Sequence, residues 1–219
     1  MSNMNMPGQK TRVTDANMER TVIEPAHTQV PGKTTKPILK PNAAYLAATT
    51  LIDISWLPYG SLHNCITDPT LAVNFSTPLE KLGPVPLGWS TWSSPPFSES
   101  ATPDILVSAE QTTLTMDLSE PVSIFGFELE PNPFATLTYI ADFYYGETLV
   151  GSINRNVDGD AGARLFALRG DLIDRVVVSG PDTFAIANLR LQQTVQSIQR
   201  TILIFSALLL ILVSTSLIL

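Results

Sequence analysis

The chain has 219 residues, with 13 Lys and Arg against 20 Asp and Glu, a net charge of −7. Residues 1–40 hold six Lys/Arg against three Asp/Glu (net +3), and residues 41–200 hold seven against 17 (net −10). So acidic a body excludes a nucleic-acid partner, which needs clustered cations. A single cysteine, Cys65, excludes an intrachain disulfide.

Residues 1–45 are rich in Thr, Pro, Asn, Gln and Lys, and read as a disordered polar, basic arm. The arm has no apolar h-region and so no secretory signal; the nearest imitation, Ala43 to Leu57, is interrupted by Asp53. From Leu71 onward the apolar residues alternate with period two between closely spaced turn signals. Leu71, Val73 and Phe75 form one such run; Leu114, Met116 and Leu118 form another. Val122–Leu129 is a near-continuous apolar strand with Gly126 inside it, a sign of a bulge or a close backbone approach. Leu137–Phe143, Thr148–Ile153, Ala163–Leu168, Arg175–Ser179 and Phe184–Leu191 complete eight or nine strands, with no convincing helical period between them. This spacing predicts an all-β fold, an antiparallel β-sandwich of jelly-roll type spanning residues 65–191. The expected core is Phe125, Phe127, Leu165, Phe166, Val176, Val178, Phe184 and Ile186.

After a linker at 192–200, Thr201–Leu219 contains no charge, Pro or Gly, and 13 of its 19 residues are Leu, Ile, Val or Phe. As a helix it spans about 28 Å, against a hydrocarbon core of roughly 30 Å. It reads as a C-terminal transmembrane helix, with the lipid bilayer as its partner. Arg190 and Arg200 precede it and no charge follows, so the positive-inside bias and the missing signal favour a cytoplasmic domain over an extracellular one.

The segments GWSTWSSPP (88–96), SIFGFELEPNPF (123–134), GARLFAL (162–168) and RVVVSGPDTFAIANLRL (175–191) resemble a bacterial β-sandwich domain. That domain occurs in surface and exported proteins, including those sorted by the PEP-CTERM signal. The resemblance implies a sandwich similar to carbohydrate-binding modules and no established activity. The Pro-Glu-Pro motif and closing Arg cluster of the sorting signal are absent from the tail, which points to permanent anchoring.

Three groups of residues suggest chemistry. Trp89 and Trp92, with Glu99 beside them, offer flat aromatic faces and a carboxylate suited to a glycan or a Pro-rich protein ligand; the alternative is that one ring caps the sandwich and the other covers a loop. Asn156, Asp158 and Asp160 place three oxygen side chains at i, i+2 and i+4, a pattern that invites Ca²⁺. Ala161 and Ala167 stand where an EF-hand needs Gly and Glu, and the Asp-Gly pair also explains itself as a hairpin turn. Glu128 and Glu130, with Asn132 beyond, form a third oxygen cluster that could bind a cation or, as is more common, sit in water. Catalysis has little to draw on: His63 stands near Asn64, Cys65 and Asp68, but adjacency in sequence does not bring a nucleophile and base together. The expectation is a membrane-anchored, non-enzymatic binding module for glycan or protein. The alternatives are a structural or assembly module of a surface layer and an acidic glycoside-active enzyme.

Overall fold

The computed structural model describes residues 35–194 and Gln199. The arm as far as residue 34, most of the linker, and the tail Thr201–Leu219 with its predicted membrane helix lie outside the described residues. Among those described, no helix is long and apolar enough to cross a membrane.

The fold is all-β, as the alternation predicts. In chain order the elements are β1 (Lys36–Ile38), α1 (Ala43–Ala48), β2 (Thr50–Leu51), β3 (Leu62–Thr67), β4 (Ala72–Leu82) and β5 (Ile105–Val107). They continue with β6 (Thr113–Pro131), β7 (Thr136–Tyr145), β8 (Thr148–Asp158), β9 (Arg164–Ser179) and β10 (Phe184–Gln193). The main path of pairing runs β2-β10-β5-β4-β6-β9-β7-β8; β1 joins β9, β3 joins β4, and β10 also pairs with β6. All pairings among these strands are antiparallel.

Two long strands organise the fold. The sequence suggests separate strands on either side of Glu120-Pro121, and others on either side of Gly170-Asp171. Each pair is one strand, β6 of 19 residues and β9 of 16. Between Asp117 and Ile124 the β6–β9 register shifts twice, a bulge that takes in Pro121, whose missing N–H would otherwise break the ladder. On its N-terminal side β6 pairs with β4 (Val73↔Leu118, Phe75↔Met116); on its C-terminal side it pairs with β10 (Phe184↔Pro131, Leu191↔Phe125).

All eight predicted core residues are buried. Phe127 stacks on Phe166 at 5.8 Å between centroids, and Tyr139 meets Phe184 edge-on at 5.5 Å. Alternation then separates the two faces. Phe184 and Ile186 of β10 enter the main core, whereas Ala185 and Ala187 pack with Val85, Trp92, Ile105 and Ala163 in a second cluster. Those small alanines leave room for the chain between β4 and β5 to lie over that face.

The ordered fold starts earlier than the sequence boundaries suggest. β1 falls within the stretch 1–45 read as a disordered arm and α1 begins in it, and β2, β3 and β5 supply further strands not expected. Three of these four strands have only two or three residues, too few to register a period. Helix α1 is started by Asn42, whose Oδ1 accepts a hydrogen bond from the Tyr45 N–H at 3.0 Å. It drives Tyr45 into a third cluster with Ile124, Leu165 and Ala167. A Cβ added at Gly126 would lie 2.5 Å from Tyr45 Oη and 2.4 Å from Ala167 Cβ, so this glycine is a close approach, as its place in the strand predicts.

Candidate functional site

The loop between β4 and β5 carries the GWSTWSSPP segment, and it is fastened to the sheet by two glutamates. Glu128 and Glu130 alternate along β6, so both side chains leave the face opposite Phe127 and Leu129. There they meet the loop, and both residues are fully buried. The expectation that this pair sits in water is corrected: carboxylates within an apolar run have to find donors under whatever covers them.

Glu128 finds four. Its Oε2 accepts from Trp92 Nε1 (2.9 Å), Ser98 Oγ (2.7 Å) and Asn188 Nδ2 (2.9 Å), and its Oε1 accepts from the Glu99 N–H (2.7 Å). A carboxylate has about four acceptor positions, and these four donors, three of them on Oε2, meet most of its capacity. Burial pushes the Glu128 carboxyl up, and its hydrogen-bond donors act against that. Asn188 reaches it from a backbone at φ +50°, in the left-handed region that Asn tolerates better than most residues.

Glu130 sits closer to solvent. Its Oε2 accepts from Trp89 Nε1 (2.7 Å) and its Oε1 from the Gly162 N–H (3.1 Å). Burial again dominates and pushes its carboxyl up to about 7, against the pull of these donors. Above it Thr91 donates to Gly159 O (3.3 Å) and accepts from the Ala161 N–H (3.1 Å), tying the loop to the β8–β9 turn. A cleft of about 100 Å³ opens here, lined by Trp89, Ser90, Thr91, Asn132, Phe134 and Gly159 among others. The Phe134 ring at its rim is 68% exposed, and Trp89 is half-buried.

The three sequence-predicted ligand residues therefore separate. Trp92 is 3% exposed and committed to Glu128, so it offers no stacking face, which corrects that expectation. Glu99 is also corrected: its Oε1 is ion-paired to Arg190 Nε at 2.6 Å, and its side chain is 12% exposed. Trp89 alone lines the cleft, joined by Asn132 and Phe134 of the EPNPF segment. That segment's Pro and Asn mark it only as a turn in the sequence, and its proximity to the tryptophans is a product of strand pairing.

Two members of the Ca²⁺ pattern are engaged in local hydrogen bonds. Asn156 Oδ1 accepts from Thr138 Oγ1 (2.7 Å), and Asp158 Oδ1 accepts from the Asp160 N–H (3.0 Å), which closes the turn. No group of three or more His, Cys, Asp or Glu able to hold a metal occurs among the described residues. Asn156 and Asp158 share one face of β8, and each is engaged locally, Asn156 with the neighbouring strand and Asp158 with its own turn. His63 Nε2 lies 2.6 Å from Ser61 Oγ, and the Cys65 thiol faces Ile66 O at 3.5 Å, so a Cys-His pair does not form.

No protein-family model matches the chain, and no curated protein matches it.

Proposed function

We propose that this protein is a membrane-anchored, non-catalytic binding module, in which a β-sandwich of jelly-roll type presents a glycan- or protein-binding cleft. The cleft at Trp89 and Phe134 carries this reading. It combines an exposed aromatic ring with the hydroxyl and amide groups of Ser90, Thr91 and Asn132, the mixture that suits a sugar's apolar face and its hydroxyls. At about 100 Å³ it falls well below the roughly 300–1,000 Å³ of a pocket that encloses a whole small molecule. It fits one residue of a longer chain.

The sandwich is supported by the way β6 and β9 change partners along their length, each serving two groups of strands about a common core. The resemblance of FGFELEPN and GARLFA to the bacterial surface domain points the same way. Both glutamates hold the tryptophan loop, Glu128 through four donors and Glu130 through Trp89 and Gly162, and this anchoring role supports the non-catalytic reading over a glycoside-active enzyme. With Thr201–Leu219 as the anchor, the cleft and the point where the chain leaves the sheet lie at opposite ends of β10. The chain leaves β10 at Gln193, whereas the cleft lies beside the Phe184↔Pro131 pair, roughly 25–30 Å away along the strand. A cytoplasmic domain remains the favoured side.

The test is binding of the full chain, held in lipid nanodiscs, to a panel of immobilised polysaccharides. Phe134→Ala removes an exposed ring, so it is expected to leave the fold intact and weaken binding at least tenfold. Unchanged binding in that variant refutes the cleft. For the anchor, alkaline carbonate is expected to leave the full chain in the membrane pellet and to release a chain ending at residue 200.

The assembly reading draws on Trp56, Tyr59, Leu62 and Leu87, each more than half exposed. Leu62 and its neighbours on β3 form an edge paired only to β4. A concentration-dependent oligomer abolished by Leu62→Lys is the result that favours it.

A further inference from the structure

The described part of this acidic protein contains few cations, and they are unevenly shared. Lys81, Arg175 and Arg190 each pair with a carboxylate, Asp104, Glu147 and Glu99 respectively. Lys36, Lys40, Arg155, Arg164 and Arg169 have no carboxylate partner among the described residues, and of these Lys40, Arg155 and Arg164 come near one another. The Phe97 ring, 40% exposed, has Lys40 Nζ at 4.7 Å from its centroid and the Arg164 guanidinium carbon also at 4.7 Å. Arg155 lies over the Phe166 ring at 5.9 Å and bonds the carbonyls of Leu39 and Leu165, the residues next to Lys40 and Arg164. Burial first, and then repulsion from Arg164, push Arg155 down.

Each guanidinium is held by a single nitrogen. Arg155 Nη1 donates to Leu39 O (3.1 Å) and Leu165 O. Arg164 Nη1 donates to Gly162 O (2.9 Å) and Ala163 O (2.8 Å), with Ser93 Oγ at 3.4 Å. The Nε and Nη2 donors of both have no partner among the described residues. They are not sealed from water either, since Tyr45 Oη is the one buried, unpartnered side-chain polar atom described. Two guanidiniums oriented by backbone carbonyls, free donors outward and a lysine beside them, form an arrangement that an oxyanion completes. It would accept charge-assisted hydrogen bonds and relieve the repulsion.

We propose that Lys40 and Arg164, which flank Phe97, form together with Arg155 a binding site for an oxyanion: a carboxylate, sulfate or phosphate group. Arg164 pairs with Leu129 of β6, near the same end of the sheet as the cleft. Ser93, which Arg164 approaches, lies two residues from Thr91 of the cleft wall. On the reading of that cleft as a glycan site, the ligand is an acidic sugar chain, with its anion on the arginines and a neighbouring residue in the cleft. The oxyanion site itself does not depend on that reading.

Calorimetric titration of the full chain in nanodiscs of neutral lipid, at constant ionic strength, separates the two. Inorganic sulfate and phosphate test the site alone; polygalacturonate against neutral dextran tests the acidic glycan. Sulfate or phosphate is expected to bind wild type, about tenfold more weakly in Arg164→Gln and a few-fold more weakly in Lys40→Gln. Lys40 is exposed, so its variant keeps the readout valid if Arg164→Gln unfolds. Arg175→Gln, at the other end of β9, is expected to bind as wild type does. No heat with either inorganic anion, or equal affinity in wild type and Lys40→Gln, overturns the site. Anion binding with no preference for polygalacturonate over dextran upholds the site and overturns the acidic-glycan assignment.

Discussion

Replacing Glu128 tests whether a buried carboxylate holds the tryptophan loop. Glu128→Ala removes the acceptor of four donors. Trp92 Nε1 suffers most, because Trp92 is 3% exposed and has no other acceptor among the described residues. Ser98 is equally buried but can turn its single O–H to Ser100 O, 2.7 Å away, while the Glu99 N–H and Asn188 amide stand at half-buried positions where water can replace the loss. One stranded indole N–H costs about 1–3 kcal/mol, and losing the other charge-assisted bonds and the packing raises the total to about 3–5 kcal/mol. Glu128→Gln is milder, about 1–3 kcal/mol, because an amide oxygen in the Oε2 position keeps three donors and opposes only the Glu99 N–H. Trp92→Phe falls in the same range. For a domain of this size, Glu128→Ala lowers the melting temperature by about 10 °C. Thermal unfolding of the full chain in one detergent, followed by tryptophan fluorescence, gives the ranking. A Glu128→Ala melting temperature within about 2 °C of wild type, or a Glu128→Gln variant worse than Glu128→Ala, refutes the anchoring role.

Glu130 makes stability depend on pH. Its folded value of about 7 lies above the ordinary 4.5, so the folded state binds the proton more tightly. That contribution is complete below about pH 4.5 and is lost as pH rises through about 7, up to about 3 kcal/mol and less where the cleft admits water. Urea midpoints of wild type minus Glu130→Gln between pH 4 and 8 are expected to show this fall; a flat or rising difference contradicts it. Gly126→Ala is expected to cost about 2–4 kcal/mol through its clash with Tyr45 Oη and Ala167. Tyr45→Phe removes a buried hydroxyl without a partner and is expected to be neutral or stabilising by about 1 kcal/mol, and to soften Gly126→Ala when combined with it. At the Lys81–Asp104 pair, Asp104→Ala strands a lysine that is 3% exposed and is expected to cost about 3–5 kcal/mol. Lys81→Met leaves an aspartate that is 22% exposed and is expected to cost far less; equal losses in a thermal melt would contradict the asymmetry.

The strand-rich body was legible because a half-buried strand must alternate, and Leu114, Met116 and Leu118 do so without ambiguity. All eight predicted core residues are buried for the same reason. The candidate site was legible only in part. Trp89 is where a ligand-facing ring is expected, but Trp92, three residues on, turns inward to Glu128. Nothing in GWSTWSSPP distinguishes the two indoles, since each one's fate depends on a glutamate some forty residues away. Glu128 and Glu130 carry a signal in the sequence: charges inside the apolar run FGFELEP demand partners, but nothing in the run names the indoles and backbone N–H groups that supply them.

Composition, period and charge, properties of the chain in one dimension, determined the all-β class, the apolar core and the absence of an intrachain disulfide. The apolar Thr201–Leu219 segment is visible in the same way, as is the close backbone approach at Gly126. Tertiary structure decided everything that depends on segments meeting. It joined the strands flanking Glu120-Pro121 into one, drew residues 36–51 into the sheet, and engaged Asn156 with the neighbouring strand and Asp158 with its own turn. It also laid the tryptophan loop over β6 and brought Lys40, Phe97, Arg155 and Arg164 together from four separate segments. Burial and hydrogen-bond satisfaction act across space, and neither is encoded in the spacing of residues along a strand.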